Sequence, residues 1–119
     1  MHELSIAGAV VNTAEKHAAG RRVAVVTMTT GAFRQVVPAS LEFYFEIVAR
    51  GTVCEGARLE QQLVAARLRC EDCGREWEPA VPAFRCPGCE SAEVEMLRGN
   101  ELEVESIEIE EEAACTAPR

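Results

Sequence analysis

The stretch "CEDCGREWEPAVPAFRCPGC", residues 70–89, holds two CxxC pairs, Cys70 with Cys73 and Cys86 with Cys89, and twelve residues lie between the pairs. Two residues between cysteines form a tight knuckle whose sulfurs converge, and Gly74 and Gly88 stand where the knuckles turn. Two knuckles supply the four thiolates of a tetrahedral site suited to Zn²⁺. The gap is shorter than the roughly 15–20 residues of a common zinc ribbon, yet a hairpin closes within it. Four sulfurs leave no open position for water, so the predicted metal is structural and not catalytic. Binding of about 10–16 kcal/mol, typical of small zinc modules, is ample to order such an insert. A disulfide pair or a redox dithiol would draw on the same residues.

Working outward, the flanks read as an α/β domain. In residues 4–19, Leu4, Ala7, Val11, Ala14 and Ala18 alternate by three and four, which predicts an amphipathic helix stopped by Gly20. "RRVAVVTMTTG", residues 21–31, is rich in β-branched residues and predicts a strand covered on both faces. "GAFRQVV" connects it to "PASLEFYFEIVARG", residues 38–51. There Leu41, Phe45 and Val48, beside Tyr44 and Ile47, predict a second helix buried on a wide face, with its ring cluster in the core. "RLEQQLVAARLRC", residues 58–70, fits a helix or a strand, and periodicity does not decide. "NELEVESIEIEEE" alternates at Leu102 and Val104, then resumes out of phase at Ile107 and Ile109, which predicts a strand bulged at Glu105 and Ser106. The last stretch, "EEAACTAPR", reads as a loose tail.

The net charge of −8 is unevenly spread: +1 over residues 1–68, −3 over 69–98 and −6 over 99–119. No segment is strongly basic, and Zn²⁺ bound to four thiolates adds further negative charge, which argues against a nucleic-acid partner. The apolar runs are far shorter than the roughly 20 residues of a membrane helix, and the start lacks the pattern of a secretory signal. The expectation is a soluble, cytoplasmic protein of one ordinary domain with a metal-stapled insert. Cys54 reads as a buried small residue and Cys115 as an incidental tail thiol.

Only two histidines are present. His17, near a helix end, suits the dipole there. His2 directly follows Met1, so the α-amine, the His2 backbone nitrogen and its imidazole can close adjacent chelate rings around one ion. Such a nitrogen set suits Ni²⁺ or Cu²⁺. Glu3 can add its backbone nitrogen or a balancing carboxylate. No Ser/His/Asp or Cys/His arrangement stands beside either histidine, and no enzyme is expected.

"MHELSIA" at the start, "GAF" at 31–33, "SLEFYFEIVARGT" at 40–52, "EGARL" at 55–59, both cysteine pairs and "GNELEVESIEIE" at 99–110 form an ordered set covering most of the chain. In this the chain resembles the HypA family of hydrogenase-maturation nickel metallochaperones. The resemblance implies a sheet of about three strands packed with two helices, carrying an inserted Cys₄ zinc ribbon. By position it implies nickel at His2, with Met1 through its amine and Glu3 as candidate ligands, and zinc at Cys70, Cys73, Cys86 and Cys89. It implies a nickel-binding domain over residues 1–68, the ribbon over 69–98, and a returning strand with acidic tail over 99–119. Residues 58–69 become a strand, and 101–110 return to the same sheet.

The implied partners are a GTPase of hydrogenase maturation, the hydrogenase large subunit and, in some bacteria, the urease accessory proteins. Open sheet edges would also permit a homodimer. Some relatives carry a further histidine in or near the zinc module; residues 69–98 here contain none. The competing reading is a zinc-ribbon adaptor for protein or nucleic acid, with His2 incidental.

Overall fold

The computed structural model describes residues 2–81 and 83–110. Met1, Cys115 and the tail 111–119 lie outside the described residues. The first helix, α1 (Glu3–Ala18), buries Ile6, Ala7, Val10, Val11, Ala14 and Ala18. The buried stripe is rotated from the one expected: Leu4 is 50 % exposed, and Ile6 and Val10 take its place. At the far end Ala19 and then Gly20 adopt left-handed conformations, φ 52° and 86°, which stops the helix. Lys16 and His17 occupy its last turn, and His17 Nδ1 lies 2.9 Å from the Thr13 carbonyl.

Strand β1 (Val23–Gly31) is buried along nearly its whole length, as its β-branched run predicts. A single 3₁₀ turn over Ala32–Arg34 leads on to α2 (Pro38–Val48). Pro38 suits the first turn because its missing N–H would find no helical partner there. The two helices pack on each other. In α2 only Leu41 and Phe45 are fully buried, whereas Phe43 is 58 % exposed and Ile47 37 %. The wide buried face expected of this helix is therefore a narrow one.

Residues 58–69 form two strands where one was expected: β2 (Arg58–Val64) and β3 (Arg67–Cys70), broken at Ala65 and Ala66. They join different sheets. The first sheet has the order β2-β1-β6, with β6 spanning Leu102–Ile109. Gly31 N–H donates to the Glu101 carbonyl at 2.7 Å, and Glu110 N–H donates to that of Arg22 at 2.8 Å, so β6 runs antiparallel to β1. Along β6, Leu102, Val104, Ile107 and Ile109 are half-buried, and the phase changes at Glu105 and Ser106 as expected. The second sheet has the order β4-β3-β5, from β4 (Glu76–Trp77), β3 and β5 (Val94–Arg98), all antiparallel.

The chain packs as two compact units. One holds the residues up to Met28, Val36–Gln61 and the segment from Glu103; the other holds Thr29–Gln35 and Gln62–Leu102. In the second unit Gly31 and Gly99 cross closely: a Cβ on Gly31 would lie 2.1 Å from the Gly99 carbonyl carbon. Phe33 N–H donates to the Gly99 carbonyl at 2.8 Å, and the Phe33 ring lies against Phe84 with centroids 5.3 Å apart.

Candidate metal centre

The two CxxC segments fold as copies of one turn. Gly74 N–H donates to the Cys70 carbonyl at 2.9 Å, and Glu90 N–H donates to that of Cys86 at 2.8 Å. The left-handed residue in each copy is the one after the second cysteine, Gly74 at φ 80° and Glu90 at φ 63°. Gly88 is thus not the turn residue expected; it lies against Arg75, whose Nε would be 3.0 Å from a Cβ at that position. Amide N–H groups aim at sulfur in both copies. Cys73 N–H reaches Cys70 Sγ at 3.4 Å, while Gly88 and Cys89 N–H reach Cys86 Sγ at 3.3 and 3.4 Å.

These turns bring all four sulfurs within 4.8 Å of one another. Cys70 and Cys89 Sγ are 3.5 Å apart, and Cys73 and Cys86 Sγ are 3.6 Å apart. Zn–S bonds of about 2.3 Å give a tetrahedron with edges of roughly 3.8 Å, whereas a disulfide needs about 2.05 Å. The spacing fits a thiolate-bound metal and no disulfide. Cys70 and Cys86 are buried, and Cys73 and Cys89 face outward.

Proton affinities are split across the cluster. Cys86 is brought down to about 6, first by the Cys89 amide, with the Gly88 amide and neighbouring thiols adding to it against burial. At Cys89 the Ser91 amide favours the thiolate, but the Cys70 sulfur, burial, Cys86 and Cys73 outweigh it and push the thiol up to about 12. Cys86 ionises readily, whereas the thiols of Cys73 and Cys89 are raised. A bound dication supplies the positive charge that lets all four stay ionised.

At the other candidate site, His2 is the N-cap of α1 and is exposed. Its carbonyl accepts the Ile6 N–H at 3.1 Å, and the amides of the first turn have no intrahelical acceptor. The Glu3 carboxylate accepts the Val37 N–H at 3.1 Å and so ties the start of α1 to the N-cap of α2. That bond, followed by the Glu3 amide itself, holds the carboxyl below its ordinary value. The Glu3–Val37 tie could not be read from the sequence, because 34 residues separate its partners. Cys54 is fully buried, and burial pushes its thiol up, which matches an inert core residue.

A closed thiolate set on a three-stranded ribbon, together with an α/β unit of two helices and a second three-stranded sheet, defines the class: a two-unit metal-binding protein. The family model described as "Hydrogenase/urease nickel incorporation, metallochaperone, hypA" matches residues 1–109. The chain belongs to this HypA family, whose members are metallochaperones and not enzymes. It is 42 % identical over 110 residues to a hydrogenase maturation factor HypA of Geobacter sp. (strain M21), covering 92 % of this chain and all of that one. It is 43 % identical to that of Streptomyces avermitilis, covering 93 % of this chain and 88 % of the other. The solution structure of the Ni metallochaperone HypA from Helicobacter pylori superposes with TM-score 0.66 at 25 % identity, over 92 % of this chain and 97 % of that one.

Proposed function

We propose that this chain carries Ni²⁺ at its N-terminus and delivers it for assembly of NiFe hydrogenase, with Zn²⁺ held by Cys70, Cys73, Cys86 and Cys89. The reading is supported most by the placing of His2: an exposed histidine at the N-cap of α1, beside first-turn amides that have no helical acceptor. The His2 imidazole and the backbone nitrogens of His2 and Glu3 are the proposed ligands, joined by the Met1 amine, which lies outside the described residues. An exposed, incomplete site suits cargo that must leave again. The Cys₄ set, closed to further ligands, suits a metal that stays.

In this reading the partners are a GTPase of hydrogenase maturation and the hydrogenase large subunit, with urease assembly a second destination, and the setting is the cytoplasm. Among the described residues no helix is long and apolar enough to cross a membrane.

The test is a nickel titration with metal analysis on protein with a native, untagged start, beside His2→Ala and a form extended by one residue before Met1. The native chain should bind one nickel besides one zinc, and both variants should lose only the nickel. Amide and imidazole nitrogens bind only after releasing protons, so nickel affinity should fall from neutral to mildly acidic pH. Equal nickel binding by all three proteins would make His2 incidental and leave the zinc-ribbon adaptor as the better account.

A further inference from the structure

The space above Gly88 belongs to Arg75. Gly88 has no positive φ, so its backbone would accept a side chain. The three atoms nearest to a Cβ built there are Arg75 Nε at 3.0 Å, Cζ at 3.4 Å and Cδ at 3.6 Å. Arg75 follows the first knuckle, and its carbonyl accepts the Cys70 N–H at 2.8 Å. Its side chain therefore leaves one knuckle and lies over the backbone of the other. The Gly88 amide beneath it points at Cys86 Sγ, 3.3 Å away. Along these bonds Nε is no more than about 9 Å from that sulfur, within the Debye length of about 10 Å at 0.1 M salt.

The setting is acidic. Zn²⁺ held by four thiolates is a dianion. Glu71 and Asp72 stand inside the first knuckle, and Glu90 directly follows the second. Other arginines of the ribbon are engaged: Arg67 pairs with Glu76, Arg69 with Glu95, and Arg85 Nη1 donates to the Glu90 carbonyl at 2.9 Å. Asp72 accepts the Ser91 hydroxyl at 2.5 Å. Arg75 forms no ion pair with a carboxylate among the described residues. Its charge is left to the knuckle it covers.

We infer that Arg75 is a positioning residue of the thiolate centre: it braces the second knuckle through Gly88 and supplies a fixed positive charge that slows loss of the resident metal. The glycine at 88 is there for the arginine and not for the turn, which Glu90 makes in its left-handed conformation. Arg75 acts through the Gly88 backbone, whose amide points at Cys86 Sγ. The inference rests on the reading that Cys70, Cys73, Cys86 and Cys89 hold Zn²⁺, and it is independent of nickel at His2.

The test is the rate at which a neutral chelator in excess removes zinc from the full chain, with the zinc content of each protein measured first. At low salt Arg75→Gln should lose zinc about three- to tenfold faster than the parent, and Arg75→Lys, which keeps the charge, should stay within about twofold of it. In 1 M salt, where the Debye length is about 3 Å, the excess of Arg75→Gln should shrink to about twofold or less. Lost packing alone would leave that excess unchanged. Gly88→Ala should speed release in the parent, because its Cβ displaces the guanidinium, and should add little in an Arg75→Ala background. A parent chain that binds no zinc would sink the thiolate reading and this role with it. A zinc-loaded parent matched by Arg75→Gln at low salt, a difference indifferent to salt, or an equal Gly88→Ala effect in both backgrounds would overturn this role alone.

Discussion

Glu90 takes the left-handed conformation that its counterpart Gly74 takes in the first knuckle. With a Cβ present this costs roughly 1–2 kcal/mol. The cost is tolerated because the Glu90 N–H must turn back to the Cys86 carbonyl. Glu90→Gly should therefore strengthen the metal module by about 1 kcal/mol, partly offset by the freedom glycine has when unfolded. The measurement is the rate at which a competing chelator removes the metal; a variant that loses it no more slowly than the parent would show the turn to be unstrained. The cysteines were legible from spacing alone. This strain was not, since a glutamate gives no sign of positive φ. Glu3 offers a second residue-scale prediction. The Val37 amide holds its carboxyl below the ordinary 4.5, so the tie contributes stability above that pH and loses it as pH falls through the lowered folded-state value. The amide resonance of Val37 should titrate with a midpoint below 4.5 in the parent and show no such step in Glu3→Gln. A midpoint at or above the ordinary value would mean that the bond does not persist in solution.

Elements were legible where one physical signal dominated. The β-branched run of β1 and the three-and-four spacing of α1 each permit one structure, and each formed it. The stretch 58–70 carried two compatible patterns, and tertiary context resolved it by breaking the strand at Ala65 and Ala66, so that β2 and β3 serve different sheets. For α2, apolar composition implied more burial than the helix has, because composition cannot say that the ground beside Phe43 is left open. The glycines distinguish elements that need the residue from elements that tolerate it. Gly8 sits inside α1 with nothing within 4 Å of a built Cβ, so Gly8→Ala should stabilise by about 0.5–1 kcal/mol through helix propensity. Gly31 ends β1 against backbone: its Cβ would fall 2.1 Å from the Gly99 carbonyl carbon, and neither chain is a flexible side chain that could yield. Gly31→Ala should cost more than about 3 kcal/mol, at the severe end of single substitutions. Denaturant midpoints of the two variants should move in opposite directions; a Gly31→Ala protein as stable as its parent would mean that the crossing has room to open.

At the scale of the whole molecule, the two units draw on different sources of stability. The first holds the aliphatic core, with Val10, Val11, Val26, Met28, Leu41, Phe45 and Leu59 all buried. The second, Thr29–Gln35 with Gln62–Leu102, buries Leu68 and Ala66 among its apolar side chains and otherwise Cys70 and Cys86, two of the four clustered cysteines. A unit well below about 70–80 residues with so little apolar burial needs a metal or another staple to hold together. Its four sulfurs also lie within 4.8 Å of one another, and against the Ser91 amide the Cys70 sulfur and burial push the Cys89 thiol up, so that a metal must displace this proton before all four sulfurs can hold it. Stripping the metal with a strong chelator should therefore unfold the protein in part and not as a whole. Amides of β3 and β5, from Leu68 to Cys70 and from Val94 to Arg98, should lose protection from hydrogen exchange, while those of α1 and of Val25 and Val26 in β1 keep it. Readdition of zinc should restore the lost protection in one step. Simultaneous loss in both regions would mean that the metal supports a single cooperative core, contrary to the burial pattern. Retention in both would mean that the ribbon is held by contacts other than its thiolates.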